Sequence, residues 1–158
     1  MLNLPENILE SCKPLFDAHP LNHSMAHLKG SHPCHTALIE EILQRPALLS
    51  RPDLAAGLWL YVDNLEKSHT ASQSLETSTG SFWHGIMHRR EGDYSNSRYW
   101  FRKAADHPLL QKYPDLNPDE FVGKSAVARG EDIPSLVELQ RREWKLLFEW
   151  CAAQPETR

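Results

Sequence analysis

The stretch His84-Gly85-Ile86-Met87-His88-Arg89-Arg90-Glu91-Gly92-Asp93-Tyr94-Ser95-Asn96-Ser97-Arg98-Tyr99-Trp100-Phe101-Arg102 decides how the chain is read. It predicts two helices, Ser81–Arg90 and Tyr94–Ala105, joined by the turn Glu91-Gly92-Asp93, with Asp93 as the N-cap of the second. Gly85, Ser97 and Ala104 are small residues that let two helices cross closely, and Phe101 fills the groove between them. An earlier pair repeats this arrangement. Leu65-Glu66-Lys67-Ser68 matches Tyr94-Ser95-Asn96-Ser97 at an offset of 29 residues. The first copy comprises Pro52–Tyr61, the turn Asp63-Asn64 and Leu65–Leu75, with Ala56, Ser68 and Ser72 in the small positions.

Outside the hairpins the chain also reads as helical. It lacks sustained period-2 alternation and is poor in Val, Ile and Thr. Its prolines fall mostly between apolar-periodic segments. Pro5 opens a helix to about Ala18, with a bend expected at Pro14, and Thr36–Gln44 forms another. The segment His19–Pro33 reads as irregular, and 106–118, with three prolines, as an extended loop. Asn117-Pro118 starts a short helix through Phe121 and Val122. The final helix carries a stripe of Ile133, Leu136, Val137, Gln140, Trp144, Leu147, Phe148 and Cys151 at helical spacing. The tail after Gln154 is expected to fray. The predicted fold is therefore all-α: one compact domain over 1–158, a helical hairpin array at 52–108, closed by a long C-terminal helix at 133–153.

The second hairpin resembles a tetratricopeptide repeat. Gly85 stands where that repeat takes a small residue, Gly92-Asp93-Tyr94 matches its inter-helix turn, and Ser97, Phe101 and Ala104 match its small–aromatic–small stripe. Pro108 nearly matches its terminating proline. The spacing of 29 is shorter than the usual repeat of about 34. Two such repeats need flanking helices to cap them. The string from His84 to Arg102, with Ser68-His69 upstream and Leu139-Gln140-Arg141-Arg142-Glu143-Trp144 downstream, also resembles the core of a family of small proteins. That resemblance spans about Leu58 to Cys151. It implies a helical-repeat-like fold and no particular activity.

Composition narrows the function classes. Seventeen Lys and Arg against 21 Asp and Glu give 158 residues a net charge of −4, so a nucleic-acid partner is not expected. The longest apolar run, near Leu54–Val62, is too short for a membrane span, and mean hydropathy is −0.53. Met1–Glu10 has neither the basic nor the apolar region of a secretory signal. Three widely spaced cysteines, Cys12, Cys34 and Cys151, suit reduced thiols and a cytoplasmic location.

Two groups of residues carry candidate chemistry. His84 and His88, four apart on one helix face, have the spacing of a two-histidine metal pair, with Glu91 or His69 as a third ligand. A divalent metal is the one cofactor this pattern suggests; the alternative is that both rings pack between helices. Arg89 and Arg90 read instead as a guanidinium pair on the concave side of the hairpin. Arg98, Arg102, Tyr99 and Trp100 extend that surface. The alternative there is an internal ion-pair network with Glu91, Asp93 or Glu143. His19, His23, His27, His32 and His35 with Cys34 form a further cluster whose spacing matches no zinc module.

Three functions follow as expectations. The first is a module binding an anionic peptide, protein or small molecule through Arg89, Arg90, Arg102, Tyr99 and Trp100. The second is a metal-assisted or general acid–base hydrolase centred on His69, His84, His88 and Glu91. The third is a structural scaffold, with the aromatic-rich hairpin as a candidate homodimer face. Geometry separates them. A hydrolase needs the three histidines to converge beside a cavity, and the binding module needs the two arginines open to a groove.

Overall fold

A computed structural model describes residues 2–155. Among these residues all regular structure is helical. The helices are α1 (Glu6–Ala18), α2 (Thr36–Ile42), α3 (Pro52–Tyr61), α4 (Leu65–Gln73), α5 (Ser78–Glu91), α6 (Tyr94–Lys103), α7 (Pro108–Lys112), α8 (Pro118–Val127) and α9 (Pro134–Ala153). No helix is long and apolar enough to cross a membrane. The expected fraying after Gln154 concerns mainly residues 156–158, which lie outside the described residues.

Local chemistry sets most of the boundaries. Proline opens α3, α7, α8 and α9, where the missing N–H costs nothing. Side chains of Asn64, Thr77, Asp93 and Asn117 accept from backbone N–H groups in the first turns of α4, α5, α6 and α8. Thr77 moves the start of α5 three residues ahead of the predicted Ser81. The predicted loop 106–118 instead contains α7. There Pro108 occupies the first turn, the His107 ring caps the Leu109 N–H and Leu109 is buried. Pro14 lies inside α1, α8 runs on to Val127, and Ile133 precedes α9 and is 38% exposed rather than part of its buried stripe.

The 29-residue offset is repeated bond for bond. Ser68 Oγ donates to the Ala56 carbonyl at 2.8 Å, and Ser97 Oγ donates to the Gly85 carbonyl at 2.7 Å. The Asn64 N–H reaches Trp59 O and the Asp93 N–H reaches His88 O, each at 2.9 Å. Asp63 and Gly92 both take left-handed backbone, with φ of 60° and 87°. Each hairpin is thus closed by one serine crossing and one left-handed residue in its turn.

Helix α5 is the centre of the molecule. Residues 79–90 are all buried, because α3, α4 and α6 pack around it and Arg89 reaches Glu143 of α9. At Gly85 a Cβ would stand 2.7 Å from Phe101 Cδ1. Gly85→Leu is therefore expected to cost about 1–3 kcal/mol through overpacking, read as a lowered Tm; an unchanged Tm would show that the crossing has slack. Helix α9 closes the array over α3, with Trp144 Nε1 donating to Gly57 O at 2.7 Å and its ring stacked on Phe148.

His107 is fully buried. Its Nδ1 accepts the Leu109 N–H, so the proton sits on Nε2 and is donated to Thr79 Oγ1 at 2.9 Å. Burial lowers its pKa to about 4. Between that value and the ordinary 6.5 the unfolded chain binds more protons at this site than the folded one, so stability rises with pH across the window. Tm is expected to fall as pH drops from 7 towards 4, and His107→Asn should flatten that slope. An unchanged slope in the variant would contradict the assignment.

Candidate metal centre

Three histidines from two helices meet on the α4–α5 face. The i, i+4 spacing of His84 and His88 puts both rings on one side of α5, and His69 reaches them from α4. One ligand-capable nitrogen from each lies within 4.8 Å of the other two. Ring centroids are 4.6 Å apart for His69–His84, 5.4 Å for His69–His88 and 4.8 Å for His84–His88. Zinc–nitrogen bonds of about 2.0–2.1 Å in tetrahedral geometry place ligand nitrogens about 3.3 Å apart.

Two neighbours orient the rings. Trp100, from α6, stacks on His84 with centroids 3.8 Å apart and planes 9° apart. The Glu91 carboxylate lies 2.5 Å from His88 Nδ1. A carboxylate only accepts, so the His88 proton is held on Nδ1 and the Nε2 lone pair is left for a ligand. His84 and His88 are buried, whereas His69 is half-buried. Burial, followed by the charges of His88 and His69, lowers the pKa of His84 to about 4. Burial and His88 lower that of His69 as well. Both rings are neutral at pH 7, the form that coordinates a metal. Among the described residues, neither His69 nor His84 has a hydrogen-bond partner on the ring.

The trio is approached from two sides. A polar cleft of about 650 Å³ runs past Ser81, His84, Trp100 and Lys103. A second, of about 420 Å³, reaches His69 and Glu91. His88, Glu91 and Asp93 also lie close enough to share an ion. In that set, however, Glu91 is engaged by His88 and Asp93 caps α6 through the Asn96 N–H.

The arginines are placed differently from the expected groove. Arg89 and Arg90 are fully buried. Arg89 Nη1 pairs with Glu143 of α9 at 2.9 Å, and its guanidinium lies 3.9 Å over the Phe121 ring. Arg90 donates to Leu60 O at 2.8 Å and pairs with Asp63 in the α3–α4 turn. Neither guanidinium opens onto a groove, because Arg89 is covered by Glu143 and Phe121 and Arg90 by Leu60 and Asp63. Of the wider basic surface, Arg98 pairs with Asp119 and Arg102 is exposed. Tyr99 is 43% exposed, and Lys103 Nζ sits 5.1 Å from its ring centre and 5.0 Å from that of Trp100.

The N-terminal histidines do not converge. Only Leu21–His23 is helical in that segment, as a short 3-10 turn, so the four-residue spacing never aligns the rings. They separate into His19–His35 and His27–His32 pairs. Cys34 Sγ lies 3.9 Å from His19 Nε2, and His27 pairs with Asp132. Two features of the structure carried no sequence signal, namely the stacking of Trp100 on His84 and the His107–Thr79 pair.

No family model matches the chain, and no curated protein or solved structure does so either.

Proposed function

We propose that the protein is a metal-assisted hydrolase whose divalent cation is held by His69, His84 and His88. The observation that carries this reading is the convergence of three imidazoles, two of them buried and two with depressed pKa, beside open clefts. A core that needed only packing has little use for three neighbouring imidazoles with two rings unpaired. Three protein nitrogens leave a tetrahedral ion one position for water or substrate. When bound, the cation supplies Lewis-acid polarisation and lowers the pKa of water. Glu91 fixes the His88 tautomer, Trp100 fixes the plane of His84, and burial keeps His69 and His84 unprotonated.

We read the paired hairpins as a degenerate tetratricopeptide-like array, supported by the matched serine crossings and left-handed caps. In this reading the array serves to bring α4 against α5. Three unpaired thiols fit a cytoplasmic enzyme. An arginine-lined site for anionic peptides is the weaker reading, since both arginines are internally paired.

The test uses untagged protein loaded with zinc and assayed against p-nitrophenyl acetate and bis-p-nitrophenyl phosphate. Turnover is expected with at least one of them, and its loss in His84→Ala/His88→Ala. Hydrolysis that survives the double variant, or zinc-loaded protein inert towards both, would overturn the assignment.

A further inference from the structure

The cleft that reaches His84 also holds polar groups that the metal centre does not use. Ser81 lines it and is only 8% exposed, and among the described residues its hydroxyl has no hydrogen-bond partner. It precedes His84 by three residues, so the two side chains are neighbours on one face of α5. One turn earlier Ser78 lines the same cleft, and among the described residues its N–H has no acceptor. This end of α5 is the positive pole of a 14-residue helix. A buried hydroxyl and an open first-turn amide beside the metal ligands make a row of donors for an oxyanion.

Charge narrows the oxyanion further. Besides His84, the ionisable side chains lining the cleft are Lys103, Glu76 and Asp106. All three are exposed, and among the described residues none of them makes an ion pair. By themselves they leave the cleft one negative charge in excess. A dication on three neutral imidazoles turns this into one positive charge in excess. A monoanion balances that excess. The dianion of a phosphomonoester overshoots it, and a neutral carboxylic ester leaves it unmet. Lys103 Nζ sits 5.0 Å from the centre of the Trp100 ring, which in turn stacks on His84.

We propose that the substrate is a small phosphodiester whose monoanionic phosphoryl group lies between His84 and Ser81, with Lys103 as its exposed counter-charge. This rests on the hydrolase reading above and narrows it to one substrate class. The Ser81 hydroxyl donates to a non-bridging oxygen, and the ester substituents occupy the rest of the cleft of about 650 Å³. In the hydrolysis a water oxygen bonds to phosphorus as one P–O ester bond breaks, giving a phosphomonoester and an alcohol. One water proton ends on the leaving oxygen, and the other stays on the oxygen now bound to phosphorus. A single lysine cannot follow a run of backbone phosphates, so the class is small diesters rather than nucleic acid.

The test compares zinc-loaded protein on bis-p-nitrophenyl phosphate, p-nitrophenyl phosphate and p-nitrophenyl acetate, each kcat/KM taken relative to the uncatalysed rate. Calorimetry with diphenylphosphinate, a monoanion that cannot be hydrolysed, supplies a readout without turnover. The diester is expected to show the largest enhancement. Ser81→Ala should weaken diphenylphosphinate at least about tenfold, as expected for one hydrogen bond to a charged group, with zinc stoichiometry unchanged. Glu76→Gln/Asp106→Asn should raise activity on the monoester relative to the diester. A larger enhancement on the monoester or the acetate, or phosphinate binding unchanged in Ser81→Ala, overturns the substrate class and leaves the hydrolase reading standing. Zinc-loaded protein inert towards all three esters overturns the hydrolase reading itself. An eight-residue oligothymidylate bound more tightly than the dinucleotide overturns the restriction to small diesters.

Discussion

Arg89→Met is expected to destabilise the protein by about 3–5 kcal/mol, because it leaves the Glu143 carboxylate buried without its counter-charge. For a chain of this length the corresponding drop in Tm is on the order of 10 °C. Both members of the pair are enclosed, with Arg89 wholly inaccessible and Glu143 3% exposed. Burial already pushes the Glu143 pKa up while Arg89 pulls it down. Without Arg89 the carboxyl takes up a proton more readily, so the penalty should shrink as pH falls. The paired variant Arg89→Met/Glu143→Leu removes the orphaned charge and should recover most of the loss. Thermal melts of the four proteins in this cycle measure the coupling. A single variant that melts like the parent would show that the pair does not hold α9 to α5.

The second large effect concerns the metal. Zinc at a hundredfold excess over its dissociation constant should stabilise the protein by about 2.7 kcal/mol. His84→Ala/His88→Ala should abolish that gain. Glu91→Gln should weaken zinc binding about 10–100-fold, because the amide no longer holds the His88 proton on Nδ1 as a carboxylate does. The Glu91 side chain is 41% exposed, so its replacement should move the metal-free Tm by no more than about 0.5 kcal/mol equivalent. This split separates a ligand-orienting role from a structural one. A Glu91→Gln protein that binds zinc as tightly as the parent contradicts it.

Much of the helical layout is legible in the sequence because its determinants are local. Pro52, Asp93, Asn117 and Pro134 mark helix starts through the backbone groups nearest them, and α3 begins and ends where the pattern places it. The 29-residue offset is legible because both hairpins need the same small residues at their crossings. Less accessible were features set by distant partners. Pro108 looks like loop chemistry until Leu109 is seen to be buried beside a His107 cap. Arg89 and Arg90 look like a surface pair until α5 is seen to be enclosed, since a helix buried all round loses the polar face by which exposure is read. Glu143 appears among the sequence-level partners of Arg89, whereas Asp63, which holds Arg90 from the turn, does not.

The histidine site divides in the same way. His84 and His88 follow from helical spacing alone, and His69 was reachable only as a candidate third ligand. That Trp100 rather than Tyr99 stacks on His84 depends on the rotation of α6 against α5, which the Phe101–Gly85 contact sets.

His69, His84 and His88 are proposed to form one metal site. Its most direct test is titration of untagged, chelator-stripped protein with cobalt(II), followed by visible absorption. Saturation is expected at one ion per chain, with the intense ligand-field bands of a four-coordinate site, and these bands should disappear in His84→Ala/His88→Ala. Absence of saturable binding, or identical spectra from the double variant, would contradict it.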